Sequence, residues 1–135
     1  MQVYKINYIC LNQDKVTASL NKSQFCLCYN DGIKIYNIDP LMYLSSSNTK
    51  TTSLVIIFFN KGDIAIATLF YRTQNLAFVG GSNNTKYYSK KLVLWDNVSK
   101  TEINSQVFLS KIINIKSMKN YIFSQTENKV NSVFY

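Results

Sequence analysis

A β-hairpin of one kind recurs three times along this chain of 135 residues, and that recurrence restricts the fold more than any other feature. In the first copy an apolar run, Phe25-Cys26-Leu27-Cys28-Tyr29, meets Asn30-Asp31-Gly32 and continues as the alternating Ile33-Lys34-Ile35-Tyr36-Asn37. Asp-Gly supplies the positive φ that a tight hairpin needs. On the second strand Ile33 and Ile35 face one way, Lys34 and Tyr36 the other. The second copy runs from Leu76-Ala77-Phe78-Val79 into Gly80-Gly81, through a polar loop to Lys90, and out along Leu92-Val93-Leu94-Trp95-Asp96. Trp-Asp is the dipeptide that closes the third strand of many propeller blades. The third copy is Tyr121-Ile122-Phe123-Ser124, a turn at Thr126-Glu127-Asn128, and Lys129 to Tyr135.

A strand precedes each hairpin: Lys15 to Leu20, Ile64 to Phe70, and Ile112 to Lys116. An outer strand follows the first two, within Leu41 to Phe59 and at Glu102 to Leu109. Repeats of about 40 to 50 residues are the spacing of propeller blades. The expected fold is therefore all-β: about three WD-repeat-like blades of an expected seven, in an incomplete ring. Residues 15–60 form the first blade, with a polar surface insert at 45–53; residues 61–110 form the second, and 111–135 a partial third. Residues 1–14, with Val3 to Leu11 as a strand, are expected to complete the final blade of a full ring. Inner strands wedged between blades should be apolar on both faces and the outer strand half solvated. Turn-separated strands also fit another antiparallel sandwich or barrel.

Composition excludes several function classes. Apolar residues make up 47% and aromatics 14%, too many for a disordered chain even at net charge +8. The lysines are dispersed, and only Lys90 and Lys91 are adjacent. Such a surplus fits either an Asn-, Lys-, Ile- and Tyr-rich codon bias or a functional basic face. Cys10, Cys26 and Cys28 are odd in number, and the last two share one strand face, as buried thiols in a reducing compartment do. With no histidine and no CxxC pair, neither a zinc site nor any other metal or cofactor is expected. Asp14, Asp31 and Asp63 are separated acids, so neither paired carboxylates nor a nucleophile with a base is visible, and no enzyme is expected. Gly80-Gly81 is not a phosphate loop, because no Gly-Lys-Ser/Thr follows. The longest apolar run, Leu54 to Phe59, is far short of the about 20 residues that cross a bilayer. Asn7 and Asn12 interrupt any signal-peptide core, so a cytosolic protein is expected and the sequons at Asn21, Asn83 and Asn97 are chance.

The Trp-Asp strand and the first hairpin resemble a specific family, the PROPPINs, the phosphoinositide-binding propellers of autophagy. The first blade of that family reads like Ser-Phe-Asn-Gln-Asp, an apolar strand, a turn with Gly, Arg-Ile-Tyr-Asn, then Asp-Pro. Here the corresponding residues are Ser19 to Ser23 with Asn21, Phe25 to Tyr29, Asp31-Gly32, Lys34 to Asn37 with Tyr36, and Asp39-Pro40. A second Asn-Gln-Asp, Asn12-Gln13-Asp14, would require an insertion before Phe25, so the register on Asn21 is preferred. The second blade is closer: Leu69-Phe70, Leu76 to Val79, Gly80-Gly81, Tyr88 to Leu92, then Trp95-Asp96. Ser110 to Lys119 is similar to a segment of the family's third blade, and the resemblance extends from about Val16 to Tyr135.

The resemblance implies a peripheral, cytoplasmic scaffold recruited to membranes bearing phosphatidylinositol 3-phosphate, with a lipid-transfer protein as partner. It implies that Ser89, Lys90 and Lys91, in the second-blade loop, contribute to docking that partner; a solvated loop without specific contacts is the alternative. Departures limit the transfer. Lysines replace the family's arginines in that loop, which keeps the charge and loses the bidentate fork. The family's lipid signature, Phe-Arg-Arg-Gly, is absent, and Arg72 is the only arginine. No lipid-binding residue is therefore expected here. Gly32, Gly80 and Gly81 are expected at backbone bends, Asp39 and Asp96 as turn caps, and Trp95 in the core. A generic WD-repeat interaction scaffold is the alternative function. A nucleic-acid module built on tyrosines and lysines is weaker, because most tyrosines sit in strand patterns. About three blades leave open apolar faces, so the isolated chain should be part of a longer propeller and should self-associate.

Overall fold

Each hairpin read from the sequence forms, and each belongs to its own antiparallel sheet. The computed structural model describes residues 5–12, 24–37, 55–59, 62–70, 75–118 and 121–134. The first sheet has the order β1 (Ile6–Asn12), β2 (Gln24–Tyr29), β3 (Gly32–Asn37), β4 (Val55–Phe59). The second follows β5 (Ile64–Leu69), β6 (Asn75–Gly80), β7 (Lys91–Asp96), β8 (Thr101–Val107). The third joins β9 (Ile112–Met118), β10 (Tyr121–Thr126) and β11 (Val130–Phe134). Consecutive strands pair in chain order within every sheet, which is the meander of a propeller blade. Among the described residues no helix is long and apolar enough to cross a membrane.

The second sheet lies between the other two, and its side-chain alternation feeds both. Leu76 and Phe78 of β6, with Val93 and Trp95 of β7, pack with Cys10, Cys26, Cys28, Ile33 and Ile35 of the first sheet. The intervening Ala77, Val79 and Leu92 pack with Ile112, Ile115 and Ile122 of the third. A strand buried on both faces has no solvated alternate positions, and β6 is accordingly buried at five of its six residues. On β5, Ala67 and Leu69 turn to the first sheet and Ile66 to the third, as does Phe70 just after the strand. Ile64 would share the face of Ile66 by simple alternation. The register shift between them turns Ile64 to the first sheet, so both residues are buried, in different cores. Each fully buried Ile or Phe contributes about 1.5–3 kcal/mol relative to exposure. Outer strand β8 is exposed at all seven residues.

One expectation is corrected. Ile6–Asn12 does not serve a final blade: it pairs with β2 from Ile6↔Tyr29 to Asn12↔Gln24 and is the first strand of the first sheet. Its apolar face, with Cys10, meets the thiols of Cys26 and Cys28 and the strand β5, which fixes it there. Lys15 to Leu20, expected in that place, lies outside the described residues, as do the insert 45–53, Asn21, Asp39 and Pro40. The first hairpin closes at Tyr29↔Gly32, so Asn30 and Asp31 are the turn's central residues. The positive φ falls after them, on Gly32 at 152°. Gly80 and Gly81 are not at positive φ; their requirement is space, as the next subsection describes.

Candidate functional site

The loop between β6 and β7, which carries Ser89, Lys90 and Lys91, is held by one acid and one amide. Asp63, just before β5, accepts the Gly81 amide on its carbonyl at 2.9 Å and the Asn84 side-chain amide at 3.0 Å. Its carboxylate accepts the Asn83 amide at 3.4 Å and, from the first sheet, the Asn7 side chain at 2.9 Å. Asn7 also donates to the Ile64 carbonyl at 2.9 Å. Asn84 Oδ1 then accepts the amides of Lys86 and Tyr87 at 3.2 and 3.0 Å. This closes the loop's first half on itself and ties it to both blades.

Tyr87 is the loop's apolar anchor. It is buried, and its ring meets Phe78 edge to face at 5.1 Å. The Nζ atoms of Lys86 and Lys91 lie 5.2 and 5.7 Å from its ring centroid. Seating Tyr87 brings its carbonyl so close to Gly80 that a Cβ there would overlap it. A Cβ on Gly81 would overlap the Asp63 carboxylate. The glycine pair is thus a consequence of how tightly the loop is folded down.

The three sequence-predicted residues are adjacent but not equivalent. The Ser89 carbonyl accepts the Ile112 amide at 2.9 Å and the Lys90 carbonyl accepts the Phe108 amide at 2.8 Å. These bonds fix the loop to the segment entering the third blade. The Lys90 side chain is exposed. Lys91 is half-buried and forms an ion pair with Glu102 of β8 at 3.4 Å. Such a partly exposed pair contributes at most about 1 kcal/mol, yet it competes with any carboxylate of a partner. Lys86 and Lys111 are exposed as well.

The remaining predicted residues have packing or turn roles. Trp95 is buried in the core shared with the first sheet. Asp96 accepts the Val98 amide at 2.9 Å and the Ser99 hydroxyl at 2.8 Å, capping the turn into β8. These two bonds, the hydroxyl's first, hold its carboxyl below the ordinary value of 3.8. That turn also places Lys100 at φ 59°, with its Nζ on Asn97 Oδ1 at 2.7 Å. Tyr36 lies opposite Phe25 in the first sheet's register. β1 ends at Asn12, the first residue of Asn12-Gln13-Asp14, and this favours the register with an insertion before Phe25 over the one on Asn21; Gln13, Asp14 and Asn21 lie outside the described residues.

The three cysteines are free and buried. A hydrogen bond to Cys26, then burial, pushes the Cys10 thiol up. Cys26 is drawn down by its bond with Cys10, but the bond with Cys28 and burial outweigh this and leave it raised as well. Both therefore stay protonated and act as packing groups. Sequence reasoning did not find Asp63, Asn84, Asn7 or Tyr87. Asn84 accepting two amides from the next three residues is the one local signal that could have marked a folded loop.

No family model matches the chain. SVP1-like protein 2 of Pichia angusta is 29% identical over 117 residues, 85% of this chain and 30% of that protein. SVP1-like protein 2 of Schizosaccharomyces pombe is 32% identical over 89 residues, 64% of this chain and 22% of the relative. Among solved structures, Kluyveromyces lactis Hsv2 superposes with a TM-score of 0.69 at 17% identity, over 98% of this chain and 33% of that one. Kluyvelomyces marxianus Hsv2 superposes with a TM-score of 0.63 at 16% identity, over 83% of this chain and 31% of that one. The chain thus spans about 22–30% of the length of these two curated relatives. The resemblance to the PROPPINs is borne out: in sequence and in fold, the chain matches part of a PROPPIN propeller.

Proposed function

We propose that this chain is the partner-docking part of a propeller that binds phosphatidylinositol 3-phosphate and works as a scaffold at autophagic membranes. A lipid-transfer protein is its partner, and the setting is cytoplasmic and peripheral to phosphoinositide-bearing membranes. The observation that carries the reading is the sequence relation to SVP1-like proteins over 85% of the chain, together with the Hsv2-like fold. The lipid itself is bound elsewhere in such a propeller, since Arg72 is the only arginine here. Within this chain the docking element is the loop ending in Ser89, Lys90 and Lys91. Support comes from its geometry: a backbone locked at Asp63, Asn84 and Tyr87 holds the Lys90 side chain in solvent at a fixed place. A preorganised loop loses little entropy on binding.

The test is co-precipitation with the lipid-transfer partner from a cell expressing the full-length parent. Lys90→Glu should reduce recovery several-fold, and Lys91→Glu less, because Lys91 is engaged with Glu102. Equal recovery of wild type and Lys90→Glu would overturn the docking role. Vesicles with phosphatidylinositol 3-phosphate should bind the parent and not the 135-residue chain. A salt titration against single-stranded RNA separates the nucleic-acid alternative: a steep salt slope on RNA, with no lipid preference in the parent, would replace the membrane reading.

A further inference from the structure

Two register irregularities meet where β1 passes β5. On β1, Ile6 pairs with Tyr29 and Tyr8 with Cys28, so Asn7 is an extra residue with no register partner on β2. On β5, Ile64 pairs with Gly80 and Ile66 with Val79, so Ala65 is the extra residue there. Bulges of this kind re-aim side chains. Tyr8 and Cys10 pack toward the second sheet, and plain alternation would leave Asn7 on the opposite side with exposed Ile9. The bulge turns Asn7 back. Its side-chain nitrogen donates to Asp63 Oδ1 and to the Ile64 carbonyl, each at 2.9 Å. The same short segment carries the loop on its other side. The Asp63 carbonyl accepts the Gly81 amide and the Asn84 side chain, and Asp63 Oδ2 accepts the Asn83 amide. Asn7 is itself exposed, so these two bonds, not apolar packing, are what it contributes.

We propose that Asn7 is a positioning residue, which from the first blade fixes Asp63 and Ile64 and through them the place of the loop 82–90 in the second. It rests on the docking role of Lys90 only in naming what the loop is held for. A carboxylate rotates broadly about its last torsion. Asn7 on Oδ1 removes that freedom and keeps Oδ2 on the Asn83 amide. Its second bond, to the Ile64 carbonyl, stops the backbone from tilting. The neighbouring Asp63 carbonyl therefore stays aimed at Gly81 and Asn84, and Asn84 in turn holds the amides of Lys86 and Tyr87. The bond to Asp63 has a charged acceptor, and such bonds are roughly twice as strong as neutral ones. The order of the loop is thus set in part by a residue of another blade, and the bulge on β1 is what brings that residue within reach.

The test is hydrogen exchange at the Gly81 and Tyr87 amides of the 135-residue chain, which report local opening of the loop. Asn7→Ala should speed both about tenfold. A simple staple between β1 and β5 would lower the urea midpoint and leave these two amides unchanged, and that result would overturn the proposal. Asn7→Asp keeps the shape, removes both donated bonds and sets a second carboxylate against Asp63, so its speed-up should exceed that of Asn7→Ala. Adding Asp63→Asn gives the pair a donor again and keeps an oxygen for the Asn83 amide, so the double variant should exchange more slowly than Asn7→Asp alone. A double variant no slower would also overturn the proposal. In the full-length parent, Asn7→Asp should lower recovery of the lipid-transfer partner as Lys90→Glu does. A loosened loop with full recovery would instead overturn the docking role of the loop and leave its positioning by Asn7 standing.

Discussion

At the scale of single residues, the loop that holds Lys90 depends on groups too small or too local to look important. Gly80 leaves room for the Tyr87 carbonyl, and Asn84 satisfies two loop amides. Gly80→Ala should cost about 3 kcal/mol, the upper end of overpacking effects, because the obstacle is backbone and cannot rotate aside. Urea unfolding measures it; an unchanged midpoint would mean that the loop is not folded against β6. Asp96 gives a pH signature. Its folded carboxyl titrates below 3.8, so the stability it adds is complete above its unfolded value of about 3.9 and is lost as pH falls through the folded one. Asp96→Asn should therefore lower the urea midpoint slightly at neutral pH, and the difference from wild type should close as pH falls below about 4.

At the scale of elements, the second sheet is the organising unit, and Phe78 is at its centre. The ring is fully buried between Tyr87 and the first sheet's core. Phe78→Ala should cost about 3–5 kcal/mol, while Ile103→Ala on the exposed β8 should change the unfolding midpoint little. This contrast was legible in the sequence. Leu76 to Val79 is a continuous apolar run closed by glycines, the pattern of a strand buried on both faces, whereas Thr101 to Val107 mixes polar and apolar residues. The hairpins were legible for the same reason, since their turns are local. The place of β1 was not. Its pairing with β2 is set by Cys10 meeting Cys26 and by contact with β5, which no nearby residue announces. The loop's anchor was hidden likewise, because Asn7 and Asn84 reach Asp63 from 56 and 21 residues away. The flip of Ile64 rests on a register shift that a plain alternation count misses.

At the scale of the whole molecule, three sheets packed face to face in chain order account for the likeness to part of an Hsv2 propeller. The second sheet is sealed between its neighbours while its outer strand is not. Native-state amide hydrogen exchange tests this most directly. Amides of β5, β6 and the inner-bonded side of β7 should exchange slowest in the chain, and those of β8 with free outward amides among the fastest of any strand. Protection in β8 equal to that in β6, or a second sheet no better protected than the first and third, would contradict the account.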